Sequence, residues 1–373
     1  MTDALTPRQR LLRTMTGRDA DRVPLLLEGF GCVGREGLEA IAEPGRRDIA
    51  ERLFDQTTAF VGCESFVNRY LVTPPQCMRG LSRDRRGDEL HVTTEIATPK
   101  GPLTAVTGQN PLSRTVWTIK YPVESLADVE KIRSVPWERP EGLAPPDATD
   151  LPEGFDRKGV LWTCVSSPFV CVAGMMPYQY FLQLCATEPE LLEELTDLCC
   201  GRILDLLEGL LGPGTIEYVW MGGCEWVTPP MASPEVYDRL VQPFEERVIS
   251  RIHAGGAIAH VHCHGNVRST LEKVIRRGGD YFEPVEPPPD GDISFAEAKA
   301  LAAGRITLGG NIEARVLERA SPEAVEQATR AAFEGGKHRM VLANSTGPIG
   351  EITPPIRANY HRMIDVWEQL SPI

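Results

Sequence analysis

The chain has 373 residues, enough to bury a large core as one big α/β barrel with an elaboration or as two domains. Its formal net charge is −13 and its basic residues gather only in short clusters such as Arg83 to Arg86, which argues against a nucleic-acid partner. No apolar run approaches the ~20 residues that span a bilayer, and the first residues lack a signal-peptide core, so no membrane is implied and a cytoplasmic protein is expected.

In chain order, Thr6 to about Gly17 predicts an amphipathic helix with Thr6 as N-cap and Pro7 at the first helical position, where a missing N–H costs nothing. Val23 to Phe30 reads as a first buried strand. It ends in Glu28-Gly29-Phe30-Gly31, where glycines let the backbone turn toward a ligand. From about Leu71 to Pro122 the sequence alternates, is rich in threonine and is punctuated by turns, which predicts a hairpin or small antiparallel meander folded over one end of the main domain. Pro136 to Pro152 is a surface connection. A repeating unit then sets in, a short apolar strand followed by an amphipathic helix. The strands are Val160 to Val165, Ile216 to Met221, Ala257 to His262, Tyr281 to Val285, Ile306 to Gly309 and Met340 to Ala343. With Val23 to Phe30 and a further strand near Phe60 to Phe66 they make eight, the number that closes a (β/α)8 TIM barrel. The alternative, an open doubly wound sheet, lacks a Gly-x-Gly-x-x-Gly turn after the first strand. The expected organisation is therefore one α/β domain over 1–373 with a small antiparallel elaboration near 71–122. The 10 cysteines are scattered through apparent strands and helices and read as small buried hydrophobes.

Functional groups of a TIM barrel collect at the C-terminal ends of its strands. Residues 257–265, Ala-Ile-Ala-His-Val-His-Cys-His-Gly, hold His260, His262 and His264 at alternate positions, so three of the chain's 7 histidines share one face. His262 and His264, nearest the strand's C-terminal end, are the expected metal ligands, with His260 a layer deeper and Cys263 a weaker candidate on the opposite face. A metal held by two imidazoles needs further ligands. Glu286, one strand later, and Glu225, one strand earlier, can supply carboxylate oxygens. Asn311 stands at a strand tip, to bond a ligand or only to close its turn.

The ordered set of Leu11-Leu-Arg-Thr-Met-Thr-Gly-Arg-Asp-Ala-Asp-Arg-Val-Pro, the Ser233-Pro-Glu helix, His262-Cys-His-Gly-Asn, Leu308-Gly-Gly-Asn-Ile and Thr353-Pro-Pro resembles the uroporphyrinogen decarboxylase superfamily over nearly the whole chain. The resemblance implies a TIM barrel, and it divides into branches. The porphyrin decarboxylases carry an Arg-Gln-Ala-Gly-Arg segment after the first strand; here that place reads Glu28 to Arg35 with a single arginine. In the corrinoid methyltransferase branch, zinc is held by a His-x-Cys pair, a downstream glutamate in some members, and a late cysteine. Matched on the following glycine, His262 falls on the family's histidine and His264 on its first cysteine, with Glu286 near the glutamate. Ser345-Thr346-Gly347 stands where the late cysteine would be. The resemblance thus implies a zinc-dependent methyltransferase, moving a methyl group between a small-molecule substrate and a corrinoid or thiol acceptor. Glu225 and Asn311 are the expected catalytic residues, and Tyr178, Glu28 and Arg35 the expected substrate contacts. The expected partner is a corrinoid protein, with a homodimer as an open alternative. Two other readings stay open: decarboxylation of a carboxylated substrate, for which Arg35, Arg79 and Arg114 are the available arginines, and a non-catalytic small-molecule binder.

Overall fold

The computed structural model describes residues 5–66, 70–110 and 116–373. The helix Pro7–Met15 opens the chain as expected: the Thr6 hydroxyl accepts from the Gln9 N–H, the Gln9 side chain accepts from the Thr6 N–H, and Pro7 occupies the first turn. Strands β1 (Leu25–Leu26) and β2 (Ala59–Gly62) follow. Then β3 (Met78–Arg86), β4 (Glu89–Ile96), β5 (Leu103–Gln109) and β6 (Val116–Lys120) form an antiparallel sheet in sequential order, inside the stretch read as a meander. Parallel strands resume with β7 (Gly159–Ser166), β8 (Tyr218–Gly222), β9 (Ile258–His262), β10 (Tyr281–Glu283), β11 (Thr307–Ile312) and β12 (Met340–Asn344).

The eight parallel strands lie in the order β1-β12-β11-β10-β9-β8-β7-β2, the sequence order of a ring read backwards from β1. One pairing of the expected closed ring is missing: among the described residues no ladder joins β1 to β2. The strand read over Val23 to Phe30 is cut to two residues because Pro24 has no N–H to donate and Gly29 turns the chain at φ 88°. The two edges still approach, since a Cβ on Gly31 would stand 3.2 Å from the Thr58 carbonyl oxygen.

The sheet is curled around one interior cluster. Val160, Tyr218, Ile258, Tyr281 and Val341 belong to it, and Leu26 from one edge strand and Phe60 from the other both pack against it. Phe60 and Tyr218 have ring centroids 4.9 Å apart. Leu11 and Met15 of the first helix complete the cluster, so this helix seals the N-terminal ends of the strands. There the Thr307 hydroxyl donates to the Thr14 carbonyl at 2.8 Å and Arg8 pairs with Glu217. Outward-facing residues such as Val219, Val261, Phe282 and Leu342 pack with helix residues such as Ile203, Val248, Met363 and Trp367 in the main core; each such burial stabilises by about 1.5–3 kcal/mol. The stretch Ser233 to His253, read as one helix, is two, Pro234–Leu240 and Gln242–Ala254, because Pro243 lacks the N–H that would bond the Arg239 carbonyl. Among the described residues no helix is long and apolar enough to cross a membrane.

Candidate metal centre and cavity

Strand register builds the site in layers. Ser166, Gly222, His262 and Glu283 are successive partners across β7, β8, β9 and β10, and Cys164, Trp220, His260 and Tyr281 form the layer beneath. Alternate residues of a strand share a face, so His260, His262, Tyr281 and Glu283 point the same way as the interior cluster. The Glu283 Oε1 atom lies 2.6 Å from His262 Nδ1 and 2.8 Å from His260 Nε2. The second approach is off the ring N–H direction, which leaves His260 Nε2 buried without a hydrogen bond. His260 Nδ1 is hydrogen-bonded to the Tyr218 hydroxyl, and the Tyr281 ring stands 4.7 Å from the imidazole. Glycine makes room for the carboxylate: a Cβ on Gly309 would lie 2.4 Å from Glu283 Cβ and from the Tyr281 hydroxyl. Burial pushes the His260 imidazole below its ordinary pKa, which favours the neutral ring. Burial alone would raise Glu283, but the His262 and His260 rings overcome it and hold the carboxyl far below the usual range.

His260, His262 and Glu283 each offer one ligand atom, and these atoms lie within 4.8 Å of one another. A divalent ion bound at about 2.0–2.2 Å by two neutral imidazoles and a carboxylate is a familiar zinc donor set. The buried, unpartnered His260 Nε2 directed at Glu283 fits it. In the tautomer that donates Nδ1–H to Tyr218, the Nε2 lone pair is the free one.

The set expected from sequence shares only His262 with this group. His264 Nδ1 lies 2.9 Å from Glu286 Oε1, and Glu286 Oε2 accepts from the Gly265 N–H at 2.6 Å, so this pair holds the turn after β9, where Gly265 has φ 82°. Burial works against the His264 imidazolium, but Glu286, Glu283 and Glu225 outweigh it and the pKa is raised. Cys263 faces the opposite side beside Cys224, and that hydrogen-bonded contact together with burial pushes its thiol well up, away from the thiolate a metal needs. Ser345, at the place of the family's late cysteine, accepts from the Ala314 N–H at 3.0 Å.

Above this layer lies a cavity of about 720 Å³. Its wall is made by Ser166, Trp220, Gly222, Glu225 and His262 at the strand ends, by Glu64, Phe66 and Tyr70 after β2, and by Met78, Thr107, Val116 and Thr118 of the antiparallel sheet, which roofs it. Of the expected substrate and catalytic residues only Glu225 lines it. The Asn311 amide donates to Glu313 at 2.6 Å, and Asn311 is not on the wall. Tyr178 donates its hydroxyl to the Trp226 carbonyl at 2.6 Å and braces that loop instead of meeting a ligand. Glu28 accepts from the Gly347 N–H at 3.1 Å, and Arg35 is exposed with its guanidinium 4.5 Å from the centre of the Phe54 ring. Arg79 is exposed and pairs with Glu95; Arg114 lies outside the described residues. The sequence did not single out Glu283 or Tyr218, which the structure brings against His260. The signal was strand parity: Tyr281 and Glu283 alternate in step with His260 and His262.

The uroporphyrinogen decarboxylase (URO-D) family model matches residues 118–367, and the chain belongs to that family. Among solved structures it is similar to a methyltransferase from Methanosarcina mazei, with a TM-score of 0.61 and 13% identity over 98% of this chain and 99% of that one. It is also similar to a B12-independent methionine synthase from Shewanella sp. W3-18-1 in complex with selenomethionine, with a TM-score of 0.42 and 10% identity over 79% of this chain and 77% of that one. At such identities the likeness is one of fold. No curated protein matches the sequence.

Proposed function

We propose that the chain is a metal-dependent methyltransferase built on a (β/α)8 barrel that closes between β1 and β2. It moves a methyl group between a small substrate in the cavity and a corrinoid or thiol partner. The observation that carries this reading is the convergence of His260, His262 and Glu283 directly beneath a cavity at the strand C-termini. A zinc ion held there would supply Lewis acidity, binding the oxygen or sulfur of one reactant and lowering its pKa. The residues of the chain do the rest. Tyr218 fixes the His260 tautomer, Trp220 walls the centre with its ring 5.0 Å from His262, and the antiparallel roof narrows access of water. Fixing both reactants at one mouth contributes orientation as well as activation. The overall likeness to the Methanosarcina mazei methyltransferase supports the fold on which this chemistry is proposed. Decarboxylation of a polycarboxylate is less well supported, since no Lys or Arg is among the described residues lining the cavity.

The test is metal content of untagged protein followed by incubation with methylcobalamin or cob(I)alamin and a panel of methylated thiols, amines and phenolic ethers. Stoichiometric zinc and a corrinoid spectral change, both lost in His262→Ala, are expected. Absence of metal after growth with added zinc, together with CO2 release from a carboxylated porphyrinogen, would reverse the reading.

A further inference from the structure

Among the described residues the cavity wall holds carboxylates but no Lys or Arg. Glu225 lies on it half-buried, one of its oxygens, Oε2, is sealed from solvent without a hydrogen-bond partner, and no Lys or Arg among the described residues pairs with it. Glu64 stands on the exposed rim of the same wall. Arg202 sits over the Trp137 ring at 5.6 Å, but its N–H groups are donated to the carbonyls of Leu71 and Val135, and it does not line the cavity. A carboxylate with an unpartnered oxygen in a low-dielectric cleft sets up a field that favours a cation. Aromatic faces add to it. Trp220, Phe66, Tyr70 and Trp137 all contribute to the wall, and their rings attract a cation whose charge is spread over methyl groups. The volume of about 720 Å³ has room for such a head and an organic body behind it.

We infer that this cavity binds a methylated ammonium compound, which would make a cationic amine the methyl donor. The inference rests on the methyltransferase reading for its chemistry and on the cavity wall for its binding. Transfer from a quaternary nitrogen is balanced without an oxidant or a proton. The C–N bond breaks with its electron pair left on nitrogen, releasing a neutral amine, while the electron pair of a thiolate or reduced corrinoid forms the new bond to the methyl carbon. Glu225 acts in binding and loses its counter-ion when the amine becomes neutral, which favours release of the product.

The experiment is calorimetric titration of the full chain with choline, with its neutral carbon isostere 3,3-dimethylbutan-1-ol, and with the anion 3,3-dimethylbutanoate. Choline is expected to bind about tenfold or more tighter than the isostere, and the anion most weakly. Glu225→Gln should remove most of that preference while leaving the affinity for the neutral isostere unchanged. Equal or tighter binding of the isostere, or preferential binding of the anion, overturns the inference, and the comparison on the unmodified protein needs no variant to fold. Methyl transfer from a neutral ether by a protein that does not prefer cations would overturn this inference and leave the methyltransferase reading intact. Cation preference in a protein that transfers no methyl group from any donor supports the binding site and overturns the methyltransferase reading.

Discussion

Two histidine–glutamate groups stand side by side, one on β9 and β10 and one just past the ends of these strands, and they do different things. At the inner layer, one oxygen of Glu283 lies against both His260 and His262, and among the described residues no backbone N–H bonds the carboxylate. One step outward, Glu286 divides its oxygens between His264 and the N–H of Gly265. The electrostatics diverge accordingly: burial drives His260 toward the neutral imidazole, and carboxylates drive the more exposed His264 toward imidazolium. Residue type alone does not mark a metal ligand. The candidate group is set apart by a carboxylate shared between two imidazoles, one of which, His260, burial keeps toward the neutral form.

The contrast can be broken most directly by paired truncations. On the proposed reading, Glu283→Ala should abolish metal binding and leave the half-buried His262 without its partner, whereas Glu286→Ala should keep metal binding and lower unfolding stability by about 1–3 kcal/mol through the orphaned Gly265 N–H and His264. Elemental analysis and denaturant unfolding of both variants check this; equal metal loss would erase the distinction. A smaller effect is expected one shell out. Tyr218→Phe removes the partner of His260 Nδ1 and should weaken metal binding about 10–100-fold in a chelator competition, with the fold retained. Unchanged affinity would show that the hydroxyl does not set the tautomer. The smallest effect is a matter of sign. In chelator-treated protein, NMR titration should place His264 above the ordinary imidazole value of about 6.5 and His260 below it. The support from His264 is then complete below the unfolded pKa and lost as pH rises through its folded pKa. That from His260 is lost as pH falls below the unfolded value. Two shifts in the same direction would contradict the geometry.

Much of the frame was legible because parallel strands buried on both faces leave short apolar runs between amphipathic helices, and all eight predicted strands contribute to the curled sheet. The first was overextended because its apolar run continues past Pro24, where a hydrogen-bond donor is missing. In the candidate site, alternation within its own strand singled out His262, which the structure brings against Glu283. Glu283 was passed over for Glu286 because the segment Phe-Glu-Pro-Val-Glu-Pro offers two carboxylates, and the choice depends on where β10 ends. Tyr178 and Asn311, expected at the site, stand off the cavity wall: their polar groups are taken up by the Trp226 carbonyl and by Glu313, and such partners are set by loop packing that no local pattern announces.

The plug made by the first helix bears on how the chain is assembled during synthesis. Leu11 and Met15 share their cluster with Val341 of the last strand, the Val23 N–H donates to the Ser371 carbonyl, and the Trp367 indole donates to the Val23 carbonyl at 2.8 Å. Leu11 and Met15 therefore wait for Val341, made much later in synthesis, before their apolar faces are covered. These contacts join opposite ends of the sequence, the kind whose loop-closure entropy slows folding. A nascent chain that stops short of β12 and of the helix Pro354–Leu370 would expose the underside of the curled sheet, making such truncated products targets for aggregation and chaperone capture.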